Sequence, residues 1–194
     1  MGGKRYRRVT PSGVCWHDVG VRHFDLCIIG TGSGNSIIDE RFDHLSVALV
    51  EMGTFGGTCL NVGCIPSKMF VHPADLAAST IQANRLGVEL NVADVRWREI
   101  RDRIFGRIDP KASKGRAYRE QSDNVTVFEG RARFVGIQEL DVGTAETITA
   151  DQIVIAAGSR PIIPEISGLT SVDFHTSDTV MRLAELPQSM IIIG

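Results

Sequence analysis

Short apolar runs alternate with polar, glycine-rich stretches along the first part of the chain. One run covers residues 24–29 and ends at Gly30, and a second covers 47–50 and ends at Glu51. Between them, the apolar residues at 37, 38 and 42 share one face of a predicted short helix. Two buried strands joined by a helix predict a βαβ unit with a parallel sheet, and therefore a fold of the α/β class.

Helical periodicity returns twice further along. A first long helix is predicted through Lys68 to about Arg85, bent at Pro73 and followed by Gly87 just beyond its C-cap. A second is predicted to begin at an Asp94 N-cap, because an apolar stripe with helical spacing follows it. The stripe consists of Trp97, Ile100, Ile104 and Ile108. The arginines around it interleave with acidic residues, which predicts a solvated helix face.

Strand patterns dominate the remainder. Residues 124–134 alternate in polarity and predict one strand with a twist at Gly130. A hairpin is predicted around Gly143 and Thr144, and the apolar run 153–158 is predicted to complete the sheet. The final run of isoleucines, at 191–193, is typical of a buried strand that runs into a turn.

Composition narrows the class of protein. The 194 residues are 43% hydrophobic and 23% charged, with a formal net charge of −2. These values exclude a basic nucleic-acid binder and a disordered chain. No apolar run reaches the roughly 18 residues of a membrane span, and none follows the basic residues near the N-terminus, which excludes a signal peptide. Residues 1–22 are predicted to be a disordered leader, and four cysteines, too few for a disulfide scaffold, favour a cytoplasmic protein.

The turn after the first strand has the residues of a phosphate cradle. Gly30 permits a tight turn, Gly32 lacks the Cβ that would block a pyrophosphate, and the N–H groups of the following helix start would attract the anion. The third glycine of the usual G-x-G-x-x-G pattern is Asn35 here, and Gly34 stands one place early. Glu51 ends the next strand, where a carboxylate accepts hydrogen bonds from a ribose 2′-hydroxyl. These features predict a dinucleotide site without a 2′-phosphate.

Cys59 and Cys64 form the most informative pair. In a regular helix their Cα atoms would lie roughly 8–9 Å apart, beyond the usual span of a disulfide. If they pair, residues 59–63 form an irregular turn and the regular helix begins near Cys64, where Pro66 fits the first turn. Unpaired N–H groups at that helix start, with Lys68 one turn later, favour a Cys64 thiolate.

Three interpretations of this pair are open: a zinc site, a structural disulfide and a redox-active disulfide. A zinc site needs four ligands, and no second Cys or His pair has suitable spacing. A cytoplasmic setting opposes a structural disulfide, so a redox-active one beside the nucleotide site is favoured. Cys27, inside an apolar run, is predicted to be an inert core residue, whereas Cys15 in the leader has no predicted role.

Taken in order, the cradle, Glu51, the C-x4-C motif and the strand before Gly158 resemble the flavin disulfide oxidoreductases. The resemblance covers about residues 23–194, and the stretch 56–68, Gly-Gly-Thr-Cys-Leu-Asn-Val-Gly-Cys-Ile-Pro-Ser-Lys, is highly specific for that family. Asn35 is similar to the pattern of those members that reduce the disulfide of the thiol mycothiol with NADPH. The other segments that look most like those members are 30–36, 105–110 and 175–182.

The resemblance implies FAD as the cofactor, with its pyrophosphate on the glycine-rich turn and its ribose on the acid after the second strand. The FAD-binding residues that it implies are Gly30, Gly32, Ser33, Gly34, Asn35, Glu51, Thr58, Ala132 and Gly158. It also implies three catalytic residues. Cys64 would be the thiol facing the flavin, Cys59 the interchange thiol that attacks the substrate disulfide, and Lys68 the cation beside the reactive edge of the flavin.

The resemblance further implies a domain layout. After the leader, residues 23–165 would form a Rossmann-like FAD-binding domain with a parallel sheet and a β-meander, and 166–194 a linker and the first strand of a truncated NADPH domain. The full-length protein would be a homodimer that reduces mycothiol disulfide, with neither nucleic acid nor membrane as a partner. None of the five histidines matches the family's catalytic histidine, and His175 is expected to be a surface residue. The 194-residue chain alone is therefore expected not to complete turnover.

The C-x4-C motif does not by itself distinguish disulfide substrates. A dihydrolipoamide dehydrogenase-like or glutathione reductase-like flavoenzyme is therefore one alternative to the mycothiol enzyme. A flavin-binding fragment with no catalytic role is the other.

Overall fold

A six-stranded sheet is the centre of the computed structural model, which describes residues 21–193. Its strands are β1 (Arg22–Ile29), β2 (Val47–Glu51), β3 (Val125–Glu129), β4 (Arg133–Gly136), β5 (Glu139–Asp141) and β6 (Thr147–Ile155). The strand order is β3-β2-β1-β6-β5-β4, in which the first four strands are parallel and β5 is antiparallel to both its neighbours. This confirms the α/β class, with a parallel sheet continued by a meander.

Three α-helices accompany the sheet: α1 (Gly57–Asn61), α2 (Cys64–Arg85) and α3 (Trp97–Glu120). α2 ends where it was predicted to end, since Leu86 is its C-cap and Gly87 follows with φ +83°. That left-handed conformation suits glycine, which explains why the helix stops there. Pro73 lies inside the helix, as predicted. No helix in residues 21–193 has both the length and the apolar character that crossing a membrane requires.

The connection between β1 and β2 differs from the single helix that was predicted. It contains two short 3-10 helices, Ser33–Ile37 and Glu40–Phe42. Asp39 separates them because its backbone is extended and its carboxylate accepts hydrogen bonds from the amide and guanidinium of Arg41. A side chain that bonds to the backbone just ahead of it competes with a continuing helix.

The single strand predicted over 124–134 is also wrong. The chain forms β3 and β4 instead, at opposite edges of the sheet. The break falls at Gly130, where an added Cβ would lie 2.1 Å from the carbonyl oxygen of Val142. This backbone contact with the β5–β6 hairpin turns the chain out of β3. The hairpin around Gly143 is confirmed.

The start of α3 lies at Trp97, so the predicted Asp94 N-cap is wrong. Arg96 is the N-cap residue and its side chain makes no capping hydrogen bond. Trp97 is held instead by distant groups, because its indole N–H donates to the carbonyl of Leu183 at 2.9 Å and its ring stacks on Phe70. The apolar stripe itself is confirmed, with Ile104 and Ile108 each 1% exposed.

The predicted solvated arginine face of α3 is only partly correct. Arg101 donates to the carbonyl oxygens of Leu183 and Ala184, and Arg98 pairs with Glu185. These contacts fasten the segment after the sheet to the helix. The side chains of Arg103 and Arg107 are exposed, as predicted.

The core has two layers, one on each face of the sheet. Cys27 and Ala48 belong to one layer, and their chain neighbours Ile28 and Leu49 belong to the other, as the alternation of a strand requires. A third cluster lies between α2 and α3. Cys27 is completely buried, and desolvation raises the pKa of its thiol to about 11, which confirms it as a core residue.

The two ends of the described chain also bear on the predictions. β1 begins at Arg22, two residues earlier than predicted, because the backbone of Arg22 and His23 pairs with the first part of β6. Val21, just before the strand, is exposed, and residues 1–20 of the predicted leader, with Cys15, lie outside the described residues. Residues 191–193 form no strand and are exposed, because no described strand pairs with them. His175 is exposed, as predicted.

Candidate functional site

The carboxyl ends of β1, β2 and β6 meet at one edge of the sheet, where α/β proteins bind nucleotides. Gly30 follows β1 there with φ +105°, and an added Cβ would lie 2.2 Å from the carbonyl oxygen of Ala156, just after β6. An added Cβ on Gly34 would lie 2.4 Å from the Cβ of Ala156 and 3.2 Å from Ile28. Gly34 therefore provides the close packing that the missing third glycine would provide.

Three consecutive backbone amides of this turn have no partner. The N–H groups of Gly32, Ser33 and Gly34 make no hydrogen bond within residues 21–193. A row of free amides at a turn is an anion-binding arrangement. The predicted contribution from an α-helix dipole is reduced, because only the 3-10 helix Ser33–Ile37 follows the turn.

Glu51 is placed at this turn, as its spacing predicted. Its carboxylate accepts hydrogen bonds from the amide of Thr31 at 2.9 Å, the hydroxyl of Thr31 at 2.6 Å and the amide of Gly53 at 2.8 Å. The hydroxyl of Thr31 in turn accepts from the amide of Gly56 at 3.0 Å. Thr31, 1% exposed, thus connects three segments, a role that the sequence analysis missed. Its only local signal is a hydroxyl between two glycines.

Asn35 has a partner that the sequence analysis also missed. The guanidinium of Arg119 donates to the Asn35 side-chain oxygen at 2.7 Å, to the Asn35 carbonyl at 2.9 Å and to the Ile38 carbonyl at 3.1 Å. Arg119 is 9% exposed and lies in the last turn of α3. No local pattern joins residues so far apart in the chain.

The dithiol segment, residues 56–64, packs directly against the glycine turn. Gly57 has φ +68°, and an added Cβ there would lie 2.6 Å from the Cα of Gly32. The irregular turn predicted over 59–63 is confined to Val62 and Gly63, because residues 57–61 form α1. The buried Asn61 amide stabilises α1 by donating to the carbonyls of Phe55 and Gly57.

Cys59 and Cys64 are both exposed thiols in this structure. Cys59 lies in α1 and Cys64 is the first residue of α2, as predicted for the helix start. A hydrogen bond to Cys64 is the main cause that raises the pKa of the Cys59 thiol, and desolvation and the nearby Cys64 charge raise it further. Together these causes favour the protonated form of Cys59.

The other predicted site residues lie in different elements, and no hydrogen bond within residues 21–193 joins any two of their side chains. Lys68 and Thr58 are exposed on α2 and α1. Ala132 is half-buried against the core before β4. Gly158 follows β6 with φ +70° and open space on its Cβ side. Lys68 and Thr58 are thus accessible to a ligand, and Gly158 has open space beside it.

A cleft of about 550 Å³ adjoins Glu51 and runs between β3 and α3. Its walls carry both charges. Arg116 pairs with Glu120 and Glu129, and Arg182 pairs with Asp109 at 2.6 Å. Within residues 21–193, His, Cys, Asp and Glu side chains form no cluster of three or more that could hold a metal ion.

The fold and the site together define a Rossmann-like α/β domain with a dithiol beside its nucleotide-binding edge. Residues 24–194 match the family model described as pyridine nucleotide-disulphide oxidoreductase, and the chain belongs to that family. It is 51% identical over 176 residues to mycothione reductase of Mycobacterium tuberculosis, a match that covers 88% of this chain and 38% of the relative. This similarity confirms the resemblance seen in the sequence.

Other relatives are more distant. The chain is 34% identical over 183 residues to mercuric reductase of Streptomyces lividans and 33% identical over 186 residues to dihydrolipoyl dehydrogenase of Halobacterium salinarum. These matches cover 88% of the chain and 38% and 37% of the relatives. Among solved structures, the HOCl-induced flavoprotein disulfide reductase RclA of Escherichia coli superposes with a TM-score of 0.70 at 26% identity, covering 84% of this chain and 35% of that one. The chain thus spans less than two fifths of the length of these relatives.

Proposed function

We propose that the chain is the FAD-binding, dithiol-bearing part of an NADPH-dependent oxidoreductase that reduces mycothiol disulfide. One observation carries the proposal: a turn with three free amides lies in backbone contact with a segment that presents two adjacent thiols. This contact would place a nucleotide cofactor bound at the turn next to the two thiols, where it can exchange electrons with them. The 51% identity to a mycothione reductase supports the choice of substrate.

The residues at the sheet edge fit FAD. The free amides of Gly32, Ser33 and Gly34 would hold its pyrophosphate, beside Gly30 and Asn35. Glu51 accepts three hydrogen bonds, and a carboxylate accepts about four, so one position is left for a ribose hydroxyl. The proposed contacts at the remaining places are those of Thr58, Ala132 and Gly158. When bound, FAD supplies two-electron transfer between a nicotinamide and a disulfide.

The proposed chemistry of the thiols is disulfide exchange. Cys59 loses its proton and its thiolate attacks one sulfur of mycothiol disulfide, so that a Cys59–mycothiol bond forms and one mycothiol leaves as a thiolate that takes up a proton. The Cys64 thiolate then attacks Cys59, which releases the second mycothiol and leaves a Cys59–Cys64 disulfide. Returning this disulfide to the dithiol takes two electrons and two protons, which NADPH and a solvent proton would supply with FAD bound at the glycine turn.

The surroundings of the two sulfurs support this division of roles. The hydrogen bond to Cys64 favours a protonated Cys59, so Cys59 needs a base before it attacks. Cys64 begins α2 and is proposed as the thiol that resolves the mixed disulfide on Cys59. Lys68, exposed one turn further on, is proposed as the cation that stabilises negative charge on the reduced cofactor.

We also propose that the full-length protein is a cytoplasmic homodimer. The outer part of α2 and the stretch after it expose several large apolar side chains, which a partner surface would cover. They are Leu76, Ile81, Leu86, Val88 and Leu90. The cytoplasmic location rests on the cysteine usage, because a buried thiol and two exposed thiols suit a reducing compartment.

Two single-cysteine variants test the flavin and the thiol roles together. The chain is purified with FAD in three forms: unsubstituted, Cys59→Ser and Cys64→Ser. We expect all three to bind FAD and only Cys59→Ser to develop a long-wavelength absorption band, because it retains a thiolate beside the flavin. A band in Cys64→Ser would reverse the roles of the cysteines, and bound FAD with no band in either variant would indicate a non-catalytic flavin-binding chain.

A trapping experiment tests the substrate. Reduced Cys64→Ser chain is mixed with mycothiol disulfide, lipoamide or glutathione disulfide, and the mixed disulfide on Cys59 is measured by mass spectrometry. We expect the mycothiol adduct to form fastest, because Cys59 remains to attack and Cys64 is absent to resolve the product. Faster formation of the glutathione or lipoamide adduct would overturn the substrate assignment. Cys59→Ser is the matched control and should accumulate no adduct at position 59.

A further inference from the structure

A buried arginine directs all its recorded hydrogen bonds to the glycine turn. Arg119 is 9% exposed, and its guanidinium donates only to oxygens of Asn35 and Ile38, at 2.7–3.1 Å. No carboxylate in the described part of the chain pairs with it, although seven other arginines there have such partners. Burying a cation without a counter-ion is unfavourable. A buried arginine that bonds only to carbonyl oxygens therefore indicates a role in holding the segment that carries those oxygens.

The position of Arg119 explains what it does to the turn. The 3-10 helix Ser33–Ile37 is too short to hold its own geometry through many internal bonds. The carbonyl of Asn35 in this helix and that of Ile38, its C-cap, accept hydrogen bonds from Arg119, whereas the amides of Gly32 and Gly34 at its start bond to no group in residues 21–193. A cation at the carbonyl end stabilises the orientation in which the free amides form the opposite, anion-accepting end.

These contacts explain why position 35 is an asparagine rather than the third glycine of the G-x-G-x-x-G pattern. Gly34 already provides the close approach to Ala156, so position 35 can carry a side chain. Asn35 uses it to accept the Nε–H of Arg119, which fixes the guanidinium plane.

We propose that Asn35 and Arg119 form a clamp that positions the glycine turn for the cofactor pyrophosphate. Arg119 is a positioning residue, acting through Asn35 and the backbone. This inference rests on the proposed FAD site and adds the residues that make it selective for a pyrophosphate. The positive charge of Arg119, which no carboxylate in the described residues pairs with, adds to the attraction of the turn for a dianion.

The test compares ligands with and without the pyrophosphate. Binding of FAD, ADP and adenosine is measured by titration calorimetry for the unsubstituted chain, Arg119→Gln, Arg119→Lys and Asn35→Ala. Arg103→Gln is the matched control, since it removes the same charge from an exposed position of α3. We expect Arg119→Gln to weaken FAD and ADP binding roughly tenfold or more, to leave adenosine binding within about twofold, and to be only partly rescued in Arg119→Lys. A purely structural role would weaken all three ligands together.

Amide hydrogen exchange without any ligand provides the second readout. The amides of Asn35 and Ile38 bond within the turn and should exchange faster in Arg119→Gln and Asn35→Ala, but not in Arg103→Gln. If the exchange of these amides is unchanged in Arg119→Gln, or if this variant weakens ADP and adenosine binding equally, the clamp is overturned while the proposed FAD site still stands. An unsubstituted chain that binds neither FAD nor ADP overturns the proposed flavin site itself, and with it the pyrophosphate role of Arg119.

Discussion

The glycine turn and the dithiol segment touch at the sheet edge, yet they are held in opposite ways. In the turn, Thr31 and Gly34 are buried, and Asn35 is bonded to a buried arginine. In the dithiol segment, Cys59 and Cys64 are exposed thiols, in α1 and at the start of α2. A rigid turn suits a cofactor that stays bound, and exposed sulfurs suit a disulfide that arrives from solution. The difference indicates that the turn would bind the cofactor, whereas the dithiol segment would contact the substrate.

The largest effect is expected at the turn. Gly30→Ala places a Cβ 2.2 Å from a backbone oxygen and forces an alanine to φ +105°. Overpacking and left-handed strain together should lower the free energy of unfolding by about 3 kcal/mol or more. Denaturant unfolding with fluorescence detection measures it.

The control lies in α3, at a glycine with open space around it. Gly106→Ala meets no atom within 4 Å of its added Cβ and should raise the free energy of unfolding by about 0.5–1 kcal/mol. Equal losses in the two variants would show that the turn is no more constrained than a helix surface.

A second prediction contrasts the thiol beneath the turn with those beside it. Burial raises the pKa of Cys27 to about 11 from its usual 9.0, so the folded state keeps the proton that the unfolded state loses. Its contribution is complete below about pH 9 and is lost as the pH rises toward 11, at most about 2–3 kcal/mol. We expect Cys27→Val to lose less stability than the unsubstituted chain between pH 8.5 and 10.5. Cys59 also has a raised pKa but is exposed, so solvent screens its contribution and Cys59→Ser should depart from the unsubstituted chain much less than Cys27→Val does. Parallel curves for all three would contradict the prediction.

A third prediction concerns the hydrogen bonds that join the glycine turn to the dithiol segment. Thr31→Val keeps the shape of the side chain but removes the hydroxyl that donates to Glu51 and accepts from Gly56. Leaving these partly buried groups unpaired should cost about 2 kcal/mol of unfolding free energy. Thr144→Val, in the exposed hairpin turn, should cost almost nothing. Equal values for both variants would mean that Thr31 does not join the turn to the dithiol segment.

Features with a local cause could be predicted from the sequence. Gly87 ends α2 because its left-handed backbone suits glycine, and that signal is a single residue. The turn at Gly30 and the acid at Glu51 follow from spacing within one βαβ unit. The helix start at Cys64 follows from the nearby Gly63 and Pro66.

Features with a distant cause could not. Trp97 begins α3 because its indole bonds to the carbonyl of Leu183, 86 residues away. Asn35 is held by Arg119, 84 residues away, so no window around the fingerprint contains the explanation for its missing glycine. The break at Gly130 similarly depends on contact with the β5–β6 hairpin.

The smallest expected effect concerns the pair of exposed thiols. In Cys64→Ala, Cys59 loses the hydrogen bond and the nearby charge that raise its pKa, while the backbone N–H groups that lower it remain. The pKa of Cys59 should therefore fall, and its alkylation by iodoacetamide at pH 7.5 should become about threefold faster, because the larger thiolate fraction outweighs the weaker nucleophilicity of each thiolate. Peptide mass mapping over a pH series measures the rate, with Cys27→Val as the control that leaves the pair intact. An unchanged rate profile would mean that the two sulfurs do not interact, and the dithiol segment would then present two independent thiols beside the turn.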